Sequence, residues 1–95
     1  MKQVVVRPAA AADIEDAYQW YDSQRPGLGD EFLAALRLTR ERVLEHPEAF
    51  PTDTRRALVP QRFPYGLFYR IYGETIVVVA CMHAKRDPRQ WQRRT

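Results

Sequence analysis

A single cysteine, Cys81, is all that the 95 residues contain, so no intrachain disulfide can form and a secreted disulfide scaffold is excluded. Glycine is scarce, with four in the chain, and none belongs to the Gly-rich loop that cradles a phosphate. His46, His83 and Cys81 are too few and too scattered for structural zinc, which takes four ligands of these types. No metal and no cofactor are expected. No stretch approaches the ~18 apolar residues of a membrane span, and the apolar run after Met1 is too short for a signal peptide. These absences together describe a cytoplasmic protein that does not act on or through a membrane.

What is present suits one soluble globular domain over residues 1–95. Hydrophobic residues make up 45% and charged residues 28%, outside the disordered range. Charge is unevenly divided. Residues 1–50 carry six Lys/Arg against nine Asp/Glu, a net of −3, while residues 51–95 carry nine against three, a net of +6. A cationic second half raises the local concentration of anionic partners, whether nucleic acid or acidic protein segments.

Gln3 to Arg7 is short, β-branched and bounded by Pro8, which suits a first strand. Pro8 fits the first position of a helix because the amide it lacks would be unpaired there. Ile14, Ala17, Tyr18 and Tyr21 then fall at helical spacing on one apolar stripe, with Asp13, Glu15, Asp16 and Asp22 elsewhere. Arg25 to Gly29 breaks this helix, and Asp30 is the expected cap of a second. That helix turns Phe32, Leu33, Leu36, Val43 and Leu44 inward and ends at His46-Pro47. Phe50 and Pro51 lead into a strand around Arg55 to Val59, and Pro60 stops it.

Tyr65 to Tyr72 and Thr75 to His83 are joined by Gly73-Glu74, a connection suited to a tight hairpin. A uniform register places Tyr72 opposite Thr75, Arg70 opposite Val77, Phe68 opposite Val79, Gly66 opposite Cys81 and Pro64 opposite His83. Alternation then sorts Tyr65, Leu67, Tyr69, Ile71, Ile76, Val78, Ala80 and Met82 to the helix side. Arg70, Tyr72, Cys81 and His83 share the other side, expected to be the functional face. The fold class is α+β, in the order β-α-α-β-β-β. An antiparallel helical hairpin packs on one face of a small, mainly antiparallel sheet, and Asp87-Pro88 start a short C-terminal helical turn carrying Trp91.

His83 has the chemistry of a general acid or base near neutral pH, but no serine or cysteine in its vicinity is spaced as an activated nucleophile. Arg55, Arg56, Arg62, Arg70, Lys85, Arg86, Arg89, Arg93 and Arg94, interleaved with Phe68, Tyr72 and Trp91, suit phosphate contacts with base stacking, or equally an acidic peptide with hydrophobic anchors.

Several segments in order carry a resemblance over nearly the whole chain: Pro8 to Ile14, Trp20-Tyr21, Pro26-Gly27-Leu28-Gly29 before Phe32-Leu33, Phe63-Pro64-Tyr65 with Phe68-Tyr69-Arg70, and His83 with Arg86 to Trp91. Together they make the sequence similar to the ParE/RelE superfamily of plasmid-stabilising toxins, in its ParE-like branch. The resemblance implies the fold above and a cognate antitoxin whose C-terminal segment wraps and neutralises the toxin. The superfamily includes both poisons of DNA gyrase and ribosome-dependent mRNA endonucleases.

RNA-cleaving members carry an arginine three residues before a third-strand tyrosine, and here Tyr69 places Gly66 at that position. Arg70 does not substitute, because its partner Val77 lies six residues from His83, roughly 20 Å along a strand. The expectation is therefore a toxin that binds gyrase rather than an enzyme, contacting its target through Arg70, Tyr72, His83, Arg86 and Trp91. Its antitoxin is expected along the helical groove and sheet edge, at Tyr18, Trp20, Tyr21, Phe32, Leu36, Arg55 and Arg56. The alternatives are an mRNA endonuclease at the ribosome using His83 with Arg55, Arg56 or Arg62, or a family member that only binds its antitoxin.

Overall fold

A computed structural model describes residues 3–47, 55–59 and 63–83, the side chains of Arg55, Arg56 and Leu58 excepted. The elements are β1 (Gln3–Val6), α1 (Pro8–Gln24), α2 (Leu28–Glu45), β2 (Arg55–Leu58), β3 (Tyr65–Tyr72) and β4 (Thr75–His83). This is the expected α+β order. The expected C-terminal turn, with Arg86 and Trp91, lies outside the described residues, as do Phe50, Pro51, Pro60 and Arg62.

Pro8 sits in the first turn of α1, followed by four alanines that favour helix. The helix ends where Arg25 turns extended, at φ −160 and ψ 127, as a residue before proline must. The connection to α2 is shorter than expected. Gly27, at φ 90, is the N-cap, and α2 starts at Leu28 rather than after a cap at Asp30. The carboxylate that serves this helix start comes from α1: Asp22 Oδ1 accepts from the Gly27 amide at 3.0 Å and the Gly29 amide at 3.2 Å. A side chain from the preceding helix thus takes the role expected of Asp30.

The two helices meet closely at Gly29, where a Cβ would lie 2.7 Å from the Tyr18 ring and 2.9 Å from the Tyr18 carbonyl oxygen. Beyond that point Tyr21 and Phe32 stack at 5.1 Å, and both meet Phe63, at 5.0 and 5.5 Å. Thr39 is fully buried in α2. Its hydroxyl donates to the Ala35 carbonyl at 2.9 Å, which satisfies a polar group in an apolar setting.

The sheet runs in the order β1-β4-β3-β2, with β1 parallel to β4 and the other pairs antiparallel. One cluster of buried residues joins the helices to Leu67, Tyr69, Ile76, Val78 and Cys81. A second cluster, Phe68, Val79, Ala80 and Met82, belongs to the opposite face of the sheet. The buried Tyr69 hydroxyl donates to the Pro47 carbonyl at 2.8 Å, tying the sheet to the end of α2. No described helix is long and apolar enough to cross a membrane.

The hairpin boundaries match expectation, and the register does not. Pairs from Tyr72 with Thr75 to Tyr69 with Val78 follow the uniform pairing; then Phe68 faces Ala80, Gly66 faces Met82 and Tyr65 faces His83. Val79 is the surplus residue of a β-bulge, which moves every later residue of β4 to the other face. Cys81 therefore lies on the helix side, while Ala80 and Met82 lie on the far side, the reverse of the uniform register.

Replacing Gly29 by alanine is expected to cost about 1–3 kcal/mol through overpacking against Tyr18, and Asp22→Ala about 1 kcal/mol through loss of the cap. Thermal unfolding checks both, and parental stability in Gly29→Ala would mean that the helices do not cross this closely. Tyr69→Phe, which leaves the Pro47 carbonyl without its donor, should cost about 1–3 kcal/mol.

Candidate functional site

The bulge decides where the terminal histidine looks. His83 emerges on the helix side of β4, with the Tyr65 ring at 5.6 Å in an edge arrangement. It lines a cleft of about 760 Å³ bounded by Asp13, Asp16 and Trp20 of α1 and by Pro64 and Tyr65 ahead of and within β3. Among the described residues, those lining this cleft include two carboxylates and no arginine. Arg70 and His83 were expected to share one face; they lie on opposite faces.

α1 is joined to this end of the sheet by a specific bond. β1 stops at Val6, and the last link of its ladder is the Arg7 amide donating to the Val78 carbonyl at 3.0 Å. Past that point Asp13 Oδ2 accepts from the Cys81 amide at 3.0 Å. A helix carboxylate thus serves a strand amide where no β1 residue remains to do so. Burial and the nearby Asp13 push the Cys81 thiol up to about 12, so Cys81 is an inert thiol rather than a nucleophile. The buried Tyr21 phenol is also raised, first by burial and then by Tyr65 and Cys81.

A second concavity, of about 310 Å³, opens between α2 and the β1 side of the sheet. Its floor is Val4, Ile76 and Val78, Leu33 and Leu36 form the α2 wall, and Arg37 and Arg40 stand at its margin. β1 is an edge strand of the described sheet, with Val5 45% and Val6 43% exposed.

On the far face, Arg70 is half-buried and Tyr72 is 50% exposed. The Tyr72 phenol is lowered from its ordinary value, chiefly by a hydrogen bond from Arg70, with Arg7 adding its charge and a further hydrogen bond. Arg7 was missed by sequence reasoning, since nothing in residues 3–8 signals a meeting with a side chain 65 positions away.

Of the residues expected to meet an antitoxin, Trp20 is 56% exposed and Tyr18 half-buried, whereas Tyr21, Phe32 and Leu36 are buried. Leu36 reaches the groove wall; Tyr21 and Phe32 belong to the aromatic core. Arg55 and Arg56 pair through their backbones with Tyr69 and Phe68. Arg62, Arg86 and Trp91 lie outside the described residues.

The family model described as "ParE toxin of type II toxin-antitoxin system, parDE" matches residues 4–88. A solved structure described as the chromosomal ParDE TA system from P. aeruginosa is similar in fold, with a TM-score of 0.64 at 20% identity, covering 87% of this chain and 96% of that one. No curated protein matches.

In the native protein Cys81 is expected to resist an aromatic disulfide reagent at pH 8 and to react at once when denaturant is added. Because its folded pKa is raised above the ordinary 9.0 to about 12, the stability linked to this thiol is complete below pH 9. It is lost as pH rises from there through 12, since only the unfolded thiol ionises. Cys81→Ala should show a shallower alkaline decline in denaturation midpoint, and rapid native labelling would contradict this placement.

Proposed function

The chain belongs to the ParE toxin family of type II toxin-antitoxin systems, and from that premise we propose that it arrests growth by binding DNA gyrase and is held inactive by a cognate antitoxin. The observation that carries the choice of a binding mode over cleavage is the surroundings of His83. Among the described residues its cleft is lined by Asp13 and Asp16, with no arginine, whereas phosphodiester cleavage needs positive charge at the phosphorus.

The antitoxin site is the groove between α2 and the β1 side of the sheet. Its apolar floor and its margin of Arg37 and Arg40 suit a segment with apolar residues facing in and acidic residues at the edge. A helix laid in the groove or a strand added along β1 both satisfy that chemistry. Trp20, far more exposed than the core aromatics, extends the contact along α1. For the target we retain the residues expected from the sequence: Arg70 and Tyr72 on the far face of the sheet, His83 at its end, and Arg86 and Trp91 beyond the described residues.

Purified toxin is expected to block supercoiling by DNA gyrase, and added antitoxin to restore it. Unchanged supercoiling at high toxin concentration counts against gyrase, and codon-spaced mRNA cuts that vanish in His83→Ala establish the endonuclease reading instead. Arg37→Glu with Arg40→Glu should weaken antitoxin binding roughly tenfold at low salt and less at high salt. An affinity that ignores both salt and these substitutions would place the antitoxin elsewhere.

A further inference from the structure

β1 leaves one side of the described sheet open. Its bonds to β4 come from alternate residues: the Gln3 amide donates to the Glu74 carbonyl at 2.9 Å and the Arg7 amide to the Val78 carbonyl at 3.0 Å. Alternation along a parallel ladder gives Val5 the same direction and turns the amides and carbonyls of Val4 and Val6 away from β4. Among the described residues no strand pairs with that outer side.

Natural sheets blunt such an edge with a charge, a proline or a bulge. From Gln3 to Val6 β1 has no charge and no proline, and its pairing with β4 is regular. Val4 and Val6 line the groove beneath α2, so Val5 belongs to the opposite face of the sheet. Val5 is 45% and Val6 43% exposed. The open edge is thus apolar on both faces.

We propose that β1 is a self-association surface, pairing antiparallel with β1 of a second copy of this chain about a two-fold axis at Val5. In that register Val4 faces Val6 of the second copy, and each such pair exchanges backbone hydrogen bonds through the groups that point away from β4. Val5 faces Val5 of the second copy in the closer, non-hydrogen-bonded position. Every pair from Val4 to Val6 is then valine on valine, a β-branched cross-strand contact on both faces. Any copy of the chain supplies this match by symmetry. Arg7 falls opposite Gln3, so no like charges meet within the paired strands, and the two groove floors adjoin. Pairing of this length buries well below the ~1,200 Å² of a lasting interface, and a net charge of +3 on each copy opposes it, so the dimer is weak and salt strengthens it. The edge borders the groove assigned above to the antitoxin, and on that reading the two occupants exclude each other. The dimer itself rests on the strand edge alone.

The test is sedimentation equilibrium of the purified full chain, without antitoxin, from micromolar to millimolar concentration. Monomers should pass into dimers, with more dimer as salt is raised; a monomer at every concentration overturns the proposal. Val5→Lys and Val5→Glu should each weaken dimerisation about fivefold, because like charges then meet at the two-fold axis. An equimolar mixture of the two variants should recover a mixed dimer. Leu38→Lys, at a 57% exposed position on α2, should leave dimerisation unchanged, and thermal unfolding of each variant separates lost pairing from lost folding.

Failure of the mixture to recover a dimer, or an equal loss in Leu38→Lys, would mean that the copies meet at another surface and would sink the β1 pairing. Amide hydrogen exchange gives an independent readout in the unmodified protein. The Val4 and Val6 amides should exchange more slowly as concentration rises, while the Val5 amide, already bonded to β4, should not change. Exchange at Val4 and Val6 that ignores concentration would equally rule the pairing out.

Discussion

One surplus residue in β4 governs the end of the molecule where function is expected. β3 spans eight residues and β4 nine, and the surplus is taken up at Val79, between the pairs Tyr69 with Val78 and Phe68 with Ala80. Because side chains in a strand alternate with a period of two, a slip of one reverses every later assignment. It brings Cys81 into the core beneath the helices, gives its amide to Asp13 of α1 and turns His83 into an acidic, aromatic cleft. It also sends Ala80 and Met82 to join Phe68 and Val79 on the far face. The hairpin turn only starts the register; the bulge decides which chemistry appears on each side.

A second constraint sits at the other end of the helical hairpin. The turn is only Arg25-Pro26-Gly27, so α2 must start immediately, with its first amides exposed. Asp22 reaches forward from α1 to accept two of them, and Gly29 allows the Tyr18 backbone and ring to approach where any Cβ would collide. Together these hold the helices in contact at the turn. Further along, α1 packs on β4 while α2 reaches β2, and the apolar groove opens between α2 and the β1 side of the sheet. Close contact at the turn and the groove beyond it are thus two ends of one packing arrangement.

The charge partition visible along the chain acquires spatial meaning in this fold. Acidic residues of α1 line the His83 cleft and the Arg37 and Arg40 pair borders the groove, while Arg70 and Arg7 both lower the Tyr72 phenol. Among the described residues the cations draw on both halves of the chain, since Arg7, Arg37 and Arg40 come from the acidic half. Two concavities of different character thus lie around one small sheet.

Element order, hairpin limits, the Pro8 helix start and the family likeness were legible in the sequence, because each rests on local chemistry: proline geometry, apolar spacing and a two-residue turn. Tyr69 and Phe32 were likewise readable as inward-facing, and both are fully buried. The Val79 bulge was not, since Val77-Val78-Val79-Ala80-Cys81 is apolar throughout and no alternation betrays a slipped register. Nor was the true cap of α2, for Asp30 satisfies the local pattern while Asp22 wins by position in space. The sequence by itself determined which segments become helix or strand, as those preferences act over a few residues. Only the tertiary structure decided that Asp13 bonds the Cys81 amide and that His83 shares a cleft with Asp13 and Asp16, because such meetings depend on strand pairing between segments distant along the chain.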